Sequence, residues 1–192
     1  QVTHAGALAM VARRAAHAQT ALIASAFAGL IYLFLVSDFS VITVVQNSHS
    51  AKPLIYKIAG TWGNHEGSLL LWVLVLALFG AVVAAGRLAE GSEQAKLRDV
   101  TVAVHGLLCI GFLMLLLWTS NPFGRLLEPP IDGQDLNPLL QDPALALHPP
   151  LLYLGYVGFA STFAFAVAGL LIGKLDRDWA RATGRYVLIA WA

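Results

Sequence analysis

Long apolar blocks alternate with shorter polar stretches along this chain, and each block has about the 20 residues that a helix needs to cross a hydrocarbon core of roughly 30 Å. The pattern predicts an all-α polytopic membrane protein with four full transmembrane helices, two structured outer loops and the start of a fifth helix. The predicted spans are residues 16–36, 67–86, 100–118 and 150–173, followed by a truncated span at 186–192. Because that last span stops in mid-run and the chain opens at Gln1, we expect both ends to be cut from a longer polypeptide.

Positive residues fall mainly on one side of these spans. Nine of the twelve Lys and Arg residues precede the first span or occupy two short links, 87–99 and 174–185. Short cytoplasmic loops carry an excess of Lys and Arg, so we expect these links on the cytoplasmic side. The longer loops, 37–66 and 119–149, hold the other three positive residues and are predicted to face outward.

Composition supports a membrane location and narrows the range of partners. The chain is 58% hydrophobic and 12% charged, whereas soluble domains average roughly 45–50% apolar and about 25% charged residues. The hydrophobic composition makes membrane lipid an expected partner, whereas a net charge of +1 gives no reason to expect nucleic acid. Cys109 is the single cysteine, so no internal disulfide can form.

The two outer loops differ in character. The second holds six of the eight prolines and carries an acidic bias, which suits either a basic partner or a loop that stays solvated. Its acidic residues are Glu128, Asp132, Asp135 and Asp142. In the first loop, residues 39–45 are rich in β-branched side chains, and residues 53–61 predict a short interfacial helix.

A polar group opens the second span. Asn64 is a candidate N-cap, and Glu66 falls in the first turn, where the helix dipole favours a carboxylate. His65 stands beside that carboxylate, which could orient its imidazole for chemistry. Capping and packing are the favoured explanation of the group, and Trp62 suits an anchor at the membrane interface.

Two further histidines are candidates for function. His105 lies at membrane depth, where either a functional role or an interhelical hydrogen bond would justify its burial. His148 precedes Pro149 and Pro150, and the residue before a proline is disfavoured in a helix. We therefore expect His148 just outside a helix that begins at Pro149 or Pro150, free to bind iron beside backbone N–H groups that suit a haem propionate. A hydrogen bond that merely anchors the loop is the alternative.

Downstream of His148, the fourth span carries an aromatic face and a ridge of small residues. Tyr156, Phe159 and Phe163 share one face of the helix. Gly158, Thr162 and Ala166 form the ridge, which would allow close helix packing. The aromatic face fits packing, lipid contact or a porphyrin cleft.

Three motifs resemble the CcmF/NrfE family of cytochrome c haem lyases. They are Thr61-Trp-Gly-Asn-His-Glu-Gly-Ser-Leu-Leu-Leu-Trp72, Thr119-Ser-Asn-Pro-Phe123, and Asp132-Gly-Gln-Asp-Leu-Asn-Pro-Leu-Leu-Gln-Asp142 running into His148-Pro-Pro-Leu-Leu-Tyr-Leu-Gly-Tyr-Val-Gly-Phe159. The resemblance covers the chain from about Phe39 to its end. It implies an inner-membrane subunit, bacterial or mitochondrial, of c-type cytochrome maturation.

The resemblance also implies an activity. Haem would arrive from the chaperone CcmE and be joined to apocytochrome c held by CcmH and CcmI, so the enzyme would be a haem lyase working within a complex. His148 matches the first of two outward-facing histidines that ligate the incoming haem iron. Possible supporting residues are Trp62, His65, Glu66, Pro149, Pro150, Tyr153 and Tyr156, although the resemblance assigns no haem-ligand role to His65.

Several family features lie beyond residue 192. The resemblance places the second outward-facing histidine and the ligands of a resident b-type haem there, so this part of the chain alone is not expected to be active. Two other functions compete with the haem lyase. One is a proton or cation transporter subunit that uses His65, Glu66 and His105, and the other is a purely structural membrane scaffold.

Overall fold

The computed structural model describes residues 4–89, 91–135 and 137–192, and these residues are almost entirely helical. Seven α-helices follow one another: α1 His4–Leu35, α2 Ile42–Asn47, α3 Leu54–Gly60, α4 His65–Ala84, α5 Glu93–Thr119, α6 Pro143–Ile172 and α7 Arg177–Trp191. A short 3-10 turn, Pro138–Gln141, precedes α6. Within the described residues, α1, α4, α5 and α6 are long and apolar enough to cross a membrane. The predicted all-α polytopic class is confirmed.

Helix α7 begins earlier than the hydropathy pattern suggests. Its first residue is Arg177, inside the stretch that hydropathy assigns to a polar link. Asp176 caps this helix, because its Oδ1 accepts the backbone N–H of Trp179 at 2.9 Å. Hydropathy identifies residues that favour a lipid environment. It therefore does not detect the first, polar turns of a helix whose later turns are apolar.

The chain packs as two compact units. The link unit comprises the described parts of Gln1–Leu22, Leu74–Gly111 and Tyr153–Ala192, and it contains both short links. The loop unit comprises Ile23–Val73 and the described part of Phe112–Leu152, and it contains both long loops.

A buried apolar cluster forms the core of the link unit. It consists of Val83, Ala84, Leu97, Val102, Phe165 and Ala168. Trp179 of α7 packs against this cluster and donates its indole N–H to the Phe165 carbonyl at 2.8 Å. On α6, a Cβ at Gly158 would lie 2.8 Å from the Phe79 ring, which agrees with the predicted ridge of small residues.

Backbone hydrogen bonds join the two long loops within the loop unit. The Ile42 N–H donates to Gly124 O at 2.9 Å, and the Leu126 N–H donates to Ser40 O at 2.8 Å. Further along, the Gln134 N–H donates to Val45 O at 2.7 Å. Both outer loops are therefore structured, as predicted.

The first loop is more helical than its β-branched residues suggest. Residues Ile42–Asn47 form α2, and only Val41 makes an extended bridge, to Arg125. Val44 is fully buried, so tertiary packing decides the conformation over intrinsic strand preference. The predicted short helix in residues 53–61 is present as α3.

The acidic residues of the second loop are mostly bound within the chain. The Asp132 carboxylate accepts from the backbone N–H and hydroxyl of Ser50 and lies 3.4 Å from His49 Nε2. Asp135 pairs with buried Lys52 at 2.5 Å. Asp142 caps a helix. Three of the four acidic residues therefore make contacts within the chain, and the acidic bias does not by itself define a surface for a basic partner.

Protonation of Asp132 is expected to loosen the contact between the loops. Hydrogen bonds from Ser50 lower the pKa of Asp132 from its ordinary value of 3.8 to about 2. Because the pKa of Asp132 is lower in the folded state than in the unfolded state, the ionised carboxylate stabilises the folded protein. This stabilisation is complete above about pH 4 and is lost as the pH falls towards 2. Amide hydrogen exchange at Ser50, corrected for the intrinsic pH dependence, should accelerate over that range.

The variant Asp132→Asn tests the same contact at neutral pH. Without the carboxylate charge, we expect faster exchange at the Ser50 amide, while Glu128→Gln, an exposed site on the same loop, should leave it unchanged. Equal exchange in the two variants would show that Asp132 does not hold the loops together.

Candidate functional site

Helix α6 begins at Pro143 and carries His148 inside it. Asp142 caps the helix, because its Oδ1 accepts the backbone N–H groups of Ala144 at 2.8 Å and of Leu145 at 3.1 Å. A capping aspartate followed by proline at the first helical position is a favourable helix start. The chain therefore enters the helical conformation well before His148.

The prediction that His148 stands just outside a helix beginning at Pro149 or Pro150 is wrong. All three residues lie within α6. The first helical position suits proline because no partner is needed for its missing N–H, and Pro143 occupies that position. The N–H groups expected beside His148 for a haem propionate are also placed elsewhere, and Asp142 already accepts from two of them.

The prolines inside α6 release backbone carbonyls of the preceding turn. Pro150 has no N–H to donate to the carbonyl of Ala146, its partner in a regular helix. The indole Nε1 of Trp62 donates to that oxygen instead, at 2.8 Å. Trp62 thus replaces a helical hydrogen bond in the turn that carries His148, a role that the predicted interface anchor does not include.

His148 is exposed on an apolar face of the loop unit. Leu145, Leu151 and Leu152 lie three or four residues away along the helix, which places them on the same side. Their side chains are 44%, 66% and 48% exposed. An imidazole among exposed leucines offers one iron ligand beside a surface that suits the apolar plane of a porphyrin.

Within residues 4–89, 91–135 and 137–192, no group of three His, Cys, Asp or Glu side chains could hold a metal ion. Among these residues, His148 has no partner with which to form a multidentate metal centre. This arrangement fits haem iron, which the porphyrin already coordinates and which needs the protein only for axial ligands.

His65 links two of the sequence motifs. Its Nε2 lies 2.9 Å from the hydroxyl oxygen of Ser120. Ser120 is a buried residue, with 3% of its surface exposed. Ser120, and not the neighbouring Glu66, is the partner that orients this imidazole. Glu66 is half-buried in the first turn of α4.

The N-cap prediction for Asn64 is confirmed. Its Oδ1 accepts the backbone N–H of Gly67 at 2.7 Å, and its Nδ2 donates to the carbonyl of Gly60 at 2.7 Å. Gly67 lies against the preceding turn, where an added Cβ would be 1.7 Å from the carbonyl oxygen of Thr61. The turn that carries Trp62 therefore requires glycine at this position.

The remaining candidates lie in the link unit. Tyr153 is half-buried and Tyr156 is exposed. His105 is 2% exposed and packs beside Gly80. Neither of its ring nitrogens has a hydrogen-bond partner among the described residues, so the expected interhelical hydrogen bond is absent.

Sequence reasoning missed three contributors to this arrangement. Asp142 could have been found, because an aspartate directly before a proline is a recognised helix start. Ser120 and the Ala146 carbonyl gave no comparable signal, since their partners are 55 and 84 residues away in the chain. Such pairs become visible only when the loops fold together.

Comparisons with known proteins agree on one family. The family model described as "Cytochrome C assembly protein" matches residues 62–191. The "Cytochrome c-type biogenesis protein ccl1" of Rhodobacter capsulatus is 56% identical over 181 residues, which cover 94% of this chain and 27% of that protein. The "Cytochrome c-type biogenesis protein CcmF" of Escherichia coli is 50% identical over 172 residues, which cover 88% of this chain and 26% of that protein.

A solved structure shows the same fold. It is described as "Cytochrome c Heme Lyase CcmF" and superposes with a TM-score of 0.81 at 27% sequence identity, covering 97% of this chain and 28% of that one. The present chain thus spans little more than a quarter of the length of these relatives, as 27% and 28% coverage indicate. By its family match and its close relatives, the chain belongs to the cytochrome c assembly protein family.

Proposed function

We propose that this chain is the haem-receiving part of a cytochrome c haem lyase. Haem would arrive from the CcmE chaperone on the outer face of the inner membrane and be attached to apocytochrome c. The names of the relatives support this proposal, since one is called a haem lyase and others are biogenesis proteins for c-type cytochromes. CcmH and CcmI would hold the apocytochrome at the same complex.

The observation that carries the proposal is the exposed His148 on a turn held by Trp62. His148 would ligate the iron of the substrate haem, and the exposed leucines beside it would contact the porphyrin. Attachment joins two thiols of the apocytochrome to the two vinyl groups, so correct placement of the haem supplies much of the catalysis. His148 is then a positioning ligand and does not transfer protons.

The proposed orientation places the two long loops outside and the two short links in the cytoplasm. The distribution of positive charge supports it, because the link unit contains both arginine-rich links. His148 then faces the compartment where apocytochrome c is processed. A second outward-facing histidine and the ligands of a resident b-type haem would come from parts of the protein outside this chain.

No observation favours the transport alternative. A chain of proton carriers would need a hydrogen-bond partner at each step. His65 has one in Ser120, but the ring nitrogens of buried His105 have none within the described residues.

Haem transfer in the full-length protein tests the proposal. Purified protein mixed with haem-loaded CcmE should acquire haem absorption that remains with it after the two proteins are separated. If all of the haem stays on CcmE while the complex still assembles, the chain serves only as a scaffold and the proposal is wrong.

Trp62→Phe is expected to weaken haem capture without unfolding the protein. The variant keeps an aromatic ring but leaves the Ala146 carbonyl without its donor, which releases the turn that carries His148. Loss of a group that orients a metal ligand typically costs about 10–100-fold in affinity. We expect a loss of about tenfold in a haem titration monitored by absorption.

Trp118→Phe is the matched control. Trp118 is 78% exposed at the end of α5, so its replacement should leave haem affinity close to that of the wild type. Equal affinities in the two variants would show that the indole of Trp62 does not position the ligand.

A further inference from the structure

The link unit contains a cavity that the proposed haem chemistry does not use. Its volume is about 450 Å³, and it lies where α4 ends and where α5 and α7 begin. Its lining residues include Val82, Arg87, Arg98, Phe165, Arg185 and Ile189. The cavity is amphipathic, because apolar side chains and arginines line the same space.

One of the lining arginines serves the fold. The Arg98 side chain is 8% exposed, and its Nε donates to Asp99 Oδ1 at 2.8 Å. Its Nη1 donates to the carbonyl of Gly86 at 2.8 Å, which closes the end of α4. Arg98 is therefore a structural part of the wall.

Two other arginines remain available for a ligand. The one carboxylate in the lining, Asp178, lies 3.5 Å from Arg181 and accepts a hydrogen bond from Gln94 at 3.2 Å, so its charge is already compensated. Arg87 and Arg185 are exposed and form no ion pair with any described residue. The mouth of the cavity thus carries two uncompensated positive charges.

Polarity changes along the two segments that carry these arginines. Arg87 follows the end of α4, five residues after Val82, and Ile189 lies one turn after Arg185 on α7. In the proposed orientation, each segment therefore places its apolar residue on the membrane side of its arginine. A phospholipid has the same profile, with an anionic headgroup above acyl chains.

We propose that this cavity binds an anionic phospholipid. Arg87 and Arg185 contact the headgroup phosphate, and an acyl chain lies against Val82, Phe165 and Ile189. Basic pockets between transmembrane helices on the cytoplasmic side suit such headgroups. In the proposed orientation the lipid comes from the inner leaflet, and bound lipid would hold α7 against α4 and α5.

Lipid retention by the full-length protein tests the site. The protein is reconstituted with equal parts of phosphatidylethanolamine and phosphatidylglycerol, extracted into detergent, and examined by native mass spectrometry for bound lipid. We expect the wild type to retain phosphatidylglycerol. The double variant Arg87→Gln with Arg185→Gln should bind it about 25-fold more weakly, at about fivefold for each arginine.

A control of equal net charge is available in Arg14→Gln with Arg177→Gln, which changes two exposed arginines outside the cavity. This control should retain phosphatidylglycerol as the wild type does, and added inorganic phosphate should not displace the lipid. Equal retention by the two double variants, or equal retention of phosphatidylethanolamine by the wild type, would overturn the proposal.

Discussion

Replacing His148 with Ala is expected to abolish haem capture by the full-length protein. The substitution removes the imidazole that we propose as the iron ligand, which is exposed beside Leu151 and Leu152. Removing a group that merely orients a metal ligand costs about 10–100-fold in affinity, so removing the ligand itself should cost more. Cytochrome c maturation in cells that produce this variant should fall with it, as measured by haem-stained c-type cytochromes.

His17→Ala is the control for this experiment. His17 is also an exposed histidine on a long helix, but it lies on α1 in the link unit. We expect its replacement to leave maturation at the level of the wild type. If the two variants mature cytochromes equally well, His148 has no special role.

Replacing Gly67 with Ala is expected to cause the largest loss of stability. The new methyl group would lie 1.7 Å from the carbonyl oxygen of Thr61, and a backbone atom cannot move aside as a flexible side chain can. Overpacking typically costs about 1–3 kcal/mol, and a clash with backbone should reach or exceed the top of that range, about 3 kcal/mol. Thermal unfolding in detergent should show a clearly lowered midpoint, accompanied by reduced haem capture because Trp62 shares this turn.

Gly106→Ala separates the clash from any general effect of losing a glycine. Gly106 also lies inside a helix, but a Cβ there would meet nothing within 4 Å. Its replacement should be neutral or slightly stabilising, since alanine favours the helix by about 1 kcal/mol over glycine. Comparable unfolding midpoints for the two variants would mean that the turn before α4 adapts easily to a side chain.

The membrane-spanning helices could be predicted from the sequence because their signal is local. A run of apolar residues long enough to cross a bilayer must be helical, since lipid offers no partners for backbone groups. The prediction for α3 and the N-cap at Asn64 also depended on neighbouring residues alone, and both agree with the structure.

The prediction failed at α6 because two local rules conflicted. His148 precedes a proline, which disfavours helix, yet Asp142 and Pro143 start a helix earlier. The helix continues through Pro149 and Pro150, and a tertiary contact compensates the hydrogen bond that Pro150 cannot make. This contact is the hydrogen bond from the Trp62 indole to the carbonyl of Ala146, and the residues around either partner do not predict it.

The candidate site was predictable only in part. Recognition of the motifs pointed to His148 and to the residues around Trp62, but not to their relation in space. The bond between His65 and Ser120 and the bond between Trp62 and Ala146 arise from loop packing. Both bonds show that separate sequence motifs form one connected arrangement within the loop unit.

Chemical rescue of His148→Gly tests most directly whether this imidazole ligates the substrate haem. The variant is titrated with haem from CcmE in the presence and absence of free imidazole, and the haem absorption and resonance Raman spectra are recorded. The proposed role predicts that the variant captures little haem alone and that imidazole restores both capture and a spectrum of histidine-type ligation. Capture at the level of the wild type without imidazole, with an unchanged spectrum, would contradict it.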